Sequence, residues 1–429
     1  MSGDSKRYFE CFFKELEAQG IPYVVLHSYQ DLPGIITSDI DYSVQDSDLK
    51  RIPAIQARVA RELGWALAQV MQHQVCASYS VLVDLENPAN FLKLDVCSHY
   101  VKDHCFLLRD STLLEGRRSF HGFYVPSPAA EFIYVLAKVF GKNKAIAGYL
   151  QELRSLWEQD RAGAQRRFEQ LLGDTGASLE EWFSRPPEAW APLNGIMRRK
   201  NRYGIALLCR EFVRVVKRAF HPTGLHIALL GPDGTGKSTL LAQLRQMMEP
   251  CFRKQRVFHF RPMVFQKKTG APVSDPHAKP PRNSALGWVK VLYYFFDQWS
   301  GWLLWIFPGK LRSTFLIFDR NFDDMLVDEK RYRLSGTAGL VRILRVLLPG
   351  EDMVFVLDAP PEIIHRRKPE LSLAELERQR GALRQLARSN GRYALVSAEG
   401  APGEVALNVV RQIVKLLATR TQHKLGLPG

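Results

Sequence analysis

The sequence predicts an α/β protein: a parallel sheet covered on both faces by helices in its carboxy-terminal half, preceded by an α+β region and a helical connector. Three observations predict it. From about Gly224 onward, short apolar runs alternate with helical patterns, and five strands read from them lie at 227–230, 257–260, 315–318, 353–357 and 393–396. Runs without polar alternation belong to strands buried on both faces. Residues 1–145 instead mix helices with half-polar β runs, and residues 146–222 read as helical until Pro222, Thr223 and Gly224 punctuate the chain. With 429 residues, two or three domains are expected, and these boundaries give 1–145, 146–222 and 223–429.

Composition narrows the classes. Hydrophobic residues make up 46% and charged residues 24%, a globular balance that excludes a disordered chain or a multi-span membrane protein. The first twenty residues have no uninterrupted apolar core or small-residue cleavage site, so no secretory leader is expected and the cytoplasm is. The six cysteines are scattered without C-x-x-C spacing, a pattern of reduced thiols. The net charge of +15 favours anionic partners, whether nucleotide, acidic glycan or an anionic membrane face. Nucleic acid is not expected, because no helix-turn-helix, zinc pattern or aromatic basic stripe accompanies the charge.

The most specific motif follows the first strand of the second half. Gly231-Pro-Asp233-Gly234-Thr-Gly236-Lys237-Ser238 fits G-x-x-x-x-G-K-S/T, with a helical pattern at 239–248 directly after it. Its glycines let backbone N–H groups turn inward around phosphates, Lys237 reaches the β- and γ-phosphates, and the Ser238 hydroxyl ligates magnesium. The strand at 315–318 ends in Asp319-Arg320, so both side chains belong at a strand's carboxyl end, where open α/β sheets bind ligands. Asp319 can hold magnesium or activate an acceptor, and Arg320 can clamp an acceptor's phosphate or carboxylate. His365-Arg366-Arg367-Lys368-Pro-Glu370, with Arg378 further on, reads either as a basic segment that closes over ATP or as a solvated helix face.

With Thr239 completing G-P-D-G-T-G-K-S-T, the D-R after a strand and the R-R-K-P-E segment, residues 224–420 resemble the thymidylate kinase family of nucleoside monophosphate kinases. The resemblance implies a five-stranded parallel sheet, ATP with Mg²⁺ as donor and a phosphorylated acceptor. It places Asp233 and Arg320 toward the acceptor and makes Arg366, Arg367 and Arg378 lid candidates. The R-E-P-G-G turn of true thymidylate kinases is absent: this chain reads Phe260-Arg261-Pro262-Met263, then a loop Val273-Ser-Asp-Pro-His-Ala-Lys-Pro-Pro-Arg282. That pattern, with Asp319-Arg320-Asn-Phe-Asp-Asp324 and Asp328-Glu-Lys-Arg-Tyr-Arg333, is similar to thymidylate-kinase-like proteins of bacterial surface-polysaccharide clusters. It implies a small-molecule or glycan-linked acceptor, with Arg261 beside Arg320 as its contacts.

In the first region, Thr37-Ser-Asp39-Ile-Asp41-Tyr-Ser-Val44 alternates so that Asp39 and Asp41 share one face of a strand. A hairpin at 80–85 and 91–96, turning at Asn87-Pro-Ala-Asn90, carries Asp95. Three carboxylates so placed would complete a two-metal site for attack on a nucleotide α-phosphate. Together they resemble the nucleotidyltransferase superfamily over about 5–145, with His27-Ser28 standing where Gly-Ser is usual. The resemblance implies either a second activity on a nucleoside triphosphate or a domain that only binds.

Two apolar stretches concern surfaces. Residues 286–307 carry Trp288, Trp299, Trp302 and Trp305, but Lys290 and Asp297 inside argue for a buried helix over a membrane span. Residues 203–220 place Leu208, Phe212, Val215, Val216 and Ala219 on one helical face with arginines and lysines on the other. That helix either packs on a neighbouring domain or lies on an anionic membrane as a peripheral contact. Four readings therefore stand: a kinase of a small or glycan-linked acceptor, a true nucleoside monophosphate (dTMP) kinase, a nucleotidyltransferase with an ATP-sensing partner domain, and a scaffold at a membrane surface.

Overall fold

A computed structural model describes residues 3–202, 204–264 and 283–426. The loop expected at 273–282 lies outside the described residues. The chain divides into two compact units, one of Met1–Lys217 with Val414–Gly429 and one of Arg218–Ile413.

The first unit is built on a mixed five-stranded sheet of β1 (Tyr23–Val25), β2 (Ile40–Val44), β3 (Trp65–Gln74), β4 (Ala77–Asp84) and β5 (Phe91–Cys97), in the order β1-β2-β5-β4-β3. β2 and β5 run parallel, with Asp41 opposite Asp95, and the other pairs are antiparallel. β5 alternates strictly: Leu92, Leu94 and Val96 are buried while Lys93, Asp95 and Cys97 are only half-buried. Helices α1 (Gly3–Ala18) and α2 (Ile52–Glu62) close one core over Tyr8, Phe9, Phe12, Phe13, Tyr42 and Leu94.

A second core surrounds α3 (Pro128–Gly141), opened by a Ser127 cap that accepts from the Ala130 N–H. Phe132, Leu136 and Val139 of α3 share that core with Leu153 and Trp157 of α4 (Leu150–Gln159), Phe168 of α5 (Arg161–Leu172), Trp190, and Leu193 of α6 (Ala191–Lys200). The helices up to Lys200 of the region expected to be a separate connector therefore belong to the first unit's core. Removing one such ring, as in Phe132→Ala, costs about 3–5 kcal/mol.

In the second unit, β6 (Leu225–Leu230), β7 (Lys254–His259), β8 (Thr314–Asp319), β9 (Met353–Asp358) and β10 (Tyr393–Ser397) form an all-parallel sheet in the order β7-β8-β6-β9-β10. This is the five-stranded parallel sheet expected from the apolar runs. All six residues of β6 are buried, as a central strand covered on both faces requires. The register sets Leu229 and His259 beside Asp319, so the loop after β6 and the last residue of β8 meet at the carboxyl edge.

Both apolar stretches differ from expectation. Residues 284–301 form helix α8 (Ser284–Gly301; α7 is Ile205–Phe220), in which Leu286, Trp288, Val289, Leu292 and Phe296 are exposed. The physical reason lies in its polar residue: Asp297 is fully buried, pairing with Arg261 at 3.3 Å and accepting from the backbone N–H groups of Met263 and Val264. Satisfying that carboxylate holds the Asp297 side inward and leaves Trp288 and Leu292, on the far side of the helix, outward. Among the described residues no helix is long and apolar enough to cross a membrane. Likewise in α7, Arg214 bonds the carbonyl of Gln72 and pairs with Glu211, while Ile205, Phe212 and Phe220 are exposed. Glu211 and Arg214 face protein and the apolar side does not, although Arg210 and Lys217 stay exposed; the packing expected had the apolar side inward.

Candidate active site

The loop 231–236 joins β6 to helix α9 (Lys237–Met247). Gly234 and Gly236 have φ of +91° and +93°, the left-handed region open to glycine. A side chain at Gly234 would also lie 3.0 Å from the Ile364 carbonyl. Lys237 opens the helix with its side chain 6% exposed, and its ammonium donates to the carbonyls of Gly231 at 2.7 Å and Pro232 at 2.9 Å. Burial, then the Arg320 charge, lower its pKa to about 8, although Asp233, Asp319 and Asp324 pull the other way. Ser238 and Thr239 in the first turn are exposed, as is Gly236.

Across the sheet edge, Asp319 keeps one carboxylate oxygen 3.3 Å from His259 Nδ1. Its other oxygen is buried and has no hydrogen-bond partner among the described residues. A buried acceptor left unsatisfied costs about 1–3 kcal/mol, and a divalent cation or its bound water would relieve that cost. The donor set of Asp319 and the Ser238 hydroxyl is all oxygen, as Mg²⁺ requires, so these residues fit the ion expected from sequence.

Arg320 adopts φ of +75°, and its guanidinium binds the Asp233 carboxylate and lies 3.2 Å from Asp324. Asp324 is itself buried and accepts from the Tyr332 hydroxyl at 2.7 Å. Asp233 is the hub of a cationic ring: Arg320, Arg331 at 2.8 Å, Lys237 at 3.6 Å and Lys368 at 3.9 Å. Burial pushes its carboxyl up, but Lys237, Arg320 and Arg331 outweigh that and hold it well below the ordinary carboxylate range. Arg331, Tyr332 and Asp324 were not assigned roles from sequence, although the acidic-basic run at 328–333 was noticed. Their convergence depends on α-helical turns too short to show a period.

The lid candidates are distributed. Arg366 is exposed on helix α11 (Pro361–Arg367; α10 is Ala338–Leu347). Arg367 donates to the Ala398 carbonyl at 3.2 Å and borders a cavity of about 200 Å³ with Gly236, Thr239, Leu240, Leu357 and Val405. Arg378, on α12 (Leu373–Ser389), is held by Glu375 and by the Val327 carbonyl. Arg261, expected beside Arg320, is instead spent on structure: it pairs with Asp297 and lies over the rings of Tyr293 and Tyr294 at 5.1 and 4.9 Å.

In the first unit the three expected carboxylates share one sheet face, yet each meets a base. Asp39 lies 3.6 Å from the Lys93 ammonium and Asp95 3.8 Å from His73. Asp41 bonds His27 Nε2, which also lies 2.5 Å from the Lys138 ammonium, while His27 Nδ1 contacts the Ser28 hydroxyl at 2.9 Å. Among the described residues no group of three His, Cys, Asp or Glu side chains is placed to hold a metal ion. Burial lowers the Lys138 pKa to about 8, with the Asp41 charge opposing it. Lys138 was missed in the sequence because it sits 111 residues from His27, on a helix that reads as plain core.

No family model matches the chain, and no curated protein matches it. Among solved structures, thymidylate kinase from Ehrlichia chaffeensis is similar over 44% of this chain and 98% of its own length, at 15% identity and a TM-score of 0.32.

Proposed function

We propose that the second unit is an ATP- and Mg²⁺-dependent phosphotransferase acting on an anionic small-molecule or glycan-linked acceptor. The observation that carries this reading is Asp319, whose inner oxygen is buried and unpartnered among the described residues and whose charge acts on Lys237, at the carboxyl edge of one parallel sheet. Ser238 and Asp319 would hold Mg²⁺, which supplies charge neutralisation on the phosphates when bound. Lys237 contributes a buried positive charge, strongest where water is excluded. The N–H groups of 234–239 receive phosphate oxygens at the amino end of α9. The cavity beside Arg367 suits the adenine, since it adjoins Gly236 and Thr239 and has an apolar wall of Leu240, Leu357 and Val405. Arg320, fixed by Asp324, faces an acidic acceptor and orients it in line with the transferred group. Arg261, proposed beside Arg320, would reach the acceptor only by leaving Asp297, as Arg320 would by leaving Asp233. By the likeness in sequence, the acceptor belongs to surface-polysaccharide metabolism.

The test supplies the pure protein and Mg²⁺ with a bacterial metabolite and lipid-glycan extract and ATP labelled at the α- or γ-phosphate. Label from the γ-position in a product, lost in Lys237→Ala, is expected. Turnover surviving that substitution would sink the proposal. A second reading, nucleotidyl transfer in the first unit, is favoured by the shared face of Asp39, Asp41 and Asp95; α-label lost in Asp39→Ala would establish it.

A further inference from the structure

A cavity lined by cations shares no residue with either constellation. In the first unit a cavity of about 370 Å³ is bordered by Arg109, Arg167, Lys200 and Arg202, with Phe106 and Leu171 on its apolar side and no carboxylate among its lining residues. Its size falls within the range of small-molecule pockets, about 300–1,000 Å³. The walls are fixed by backbone bonds: the Phe106 N–H donates to the Asn201 carbonyl at 2.6 Å, and the Asn201 side chain donates to the carbonyls of Leu171 and Met197.

The cations differ in how they are satisfied. Arg167 is 11% exposed, donates to the Thr112 carbonyl at 2.8 Å and meets Glu115, an otherwise exposed carboxylate, at 3.0 Å. Lys200 donates to the Gln170 carbonyl at 2.7 Å. Arg109 lies over the Phe106 ring at 5.4 Å, and neither it nor Arg202 enters an ion pair among the described residues. Four positive groups around one cavity repel unless an anion sits between them. The comparison with another groove of the same unit, about 390 Å³, is instructive: there Arg51 pairs with Asp48 at 2.7 Å and Arg58 pairs with Glu15. In that groove Arg51 and Arg58 each have a carboxylate, whereas in the Arg109 cavity only Arg167 has one among the described residues.

We infer that the Arg109–Arg202 cavity is a binding site for a small molecule carrying a diphosphate. The guanidinium forks of Arg109 and Arg202, beside the Lys200 ammonium, suit the tetrahedral, multiply charged oxygens of adjoining phosphates, which accept paired N–H donors from several directions. The apolar side of Phe106 and Leu171 takes the group that the diphosphate carries. The site stands independently of the P-loop reading, since none of its residues takes part there.

The experiment uses the full chain carrying Lys237→Ala, which removes the P-loop's own phosphate affinity, and titrates it calorimetrically with pyrophosphate in EDTA. One saturable site is expected, weakened at least tenfold by Arg109→Gln or Arg202→Gln and less than twofold by Lys50→Gln, a like change at an exposed lysine. Arg202→Lys, which keeps the charge and loses the fork, should also weaken binding. Melting curves of each variant establish that the chain is folded, and the same differences read in the chain with Lys237 intact keep the result independent of that substitution. Absence of a saturable site, equal loss in Lys50→Gln, or citrate binding as tightly as pyrophosphate would overturn the assignment.

Discussion

The two sheets of this protein each bring carboxylates to a functional-looking edge, and they treat them in opposite ways. In the first unit Asp39, Asp41 and Asp95 stand on one face, and each has a base beside it: Lys93, His27 and His73. In the second, Asp319 has one oxygen toward His259 and the other buried with no partner among the described residues, while the neighbouring cations are drawn to Asp233 and Asp324. A motif therefore says where a carboxylate sits, and the surrounding charges say whether it is free to hold an ion. Asp233 is the clearest instance: by gathering Arg320 and Arg331 it keeps two guanidiniums off Asp319.

The comparison breaks most sharply by substitution at the P-loop. Lys237→Ala should lower γ-phosphoryl transfer by about a thousandfold or more, measured as single-turnover label transfer, because a preorganised charge acts in a water-poor site. Asp41→Ala, in the other sheet, should leave that rate within about twofold. Next in size is Asp324→Asn, which loosens Arg320: the acceptor KM should rise about tenfold with little change in the KM for ATP. Equal changes in both would assign Asp324 to folding alone.

The buried ammonium gives a pH signature. The folded pKa of Lys237 is about 8 against 10.5 ordinarily, so between these values the unfolded chain holds a proton that the folded chain has lost. Stability should therefore rise with pH across 8 to 10.5, by about 3 kcal/mol at most, and Lys237→Met should abolish the rise. Denaturant melts at pH 7.5 and 10 read both. In the first unit Asp41 holds up the pKa of Lys138, so Asp41→Asn should move it below about 8. The pH dependence of Lys138 acylation, followed by mass spectrometry, measures that. The smallest effect is expected at Arg378, already held by Glu375 and the Val327 carbonyl: Arg378→Ala should slow transfer less than about threefold.

How legible the molecule was in its sequence follows from which interactions are local. The five parallel strands were readable because buried strands are apolar throughout; only their ends differ, by one to three residues, as at 257–260, which starts three residues late and ends one late against Lys254–His259. The P-loop was readable because its strand, glycines and helix are contiguous. β3, Trp65–Gln74, escaped because Gln69, Gln72 and His73 interrupt its pattern around two register shifts. Arg261 was assigned to the acceptor because nothing local shows Asp297, 36 positions on and inside an apolar run, as its partner. Hydropathy likewise orients a helix by its apolar side, and it failed for Ser284–Gly301 because one buried carboxylate with two backbone donors decides that helix's facing.

The most direct measurement is the Mg²⁺ dependence of affinity for a non-hydrolysable ATP analogue, by calorimetry, in the native chain and in Asp319→Asn. If the unpartnered oxygen of Asp319 is the place of the ion, Mg²⁺ should tighten binding at least tenfold in the native chain and less than twofold in Asp319→Asn. Equal Mg²⁺ dependence in both proteins would contradict that role, and no binding in either would remove the nucleotide from this site.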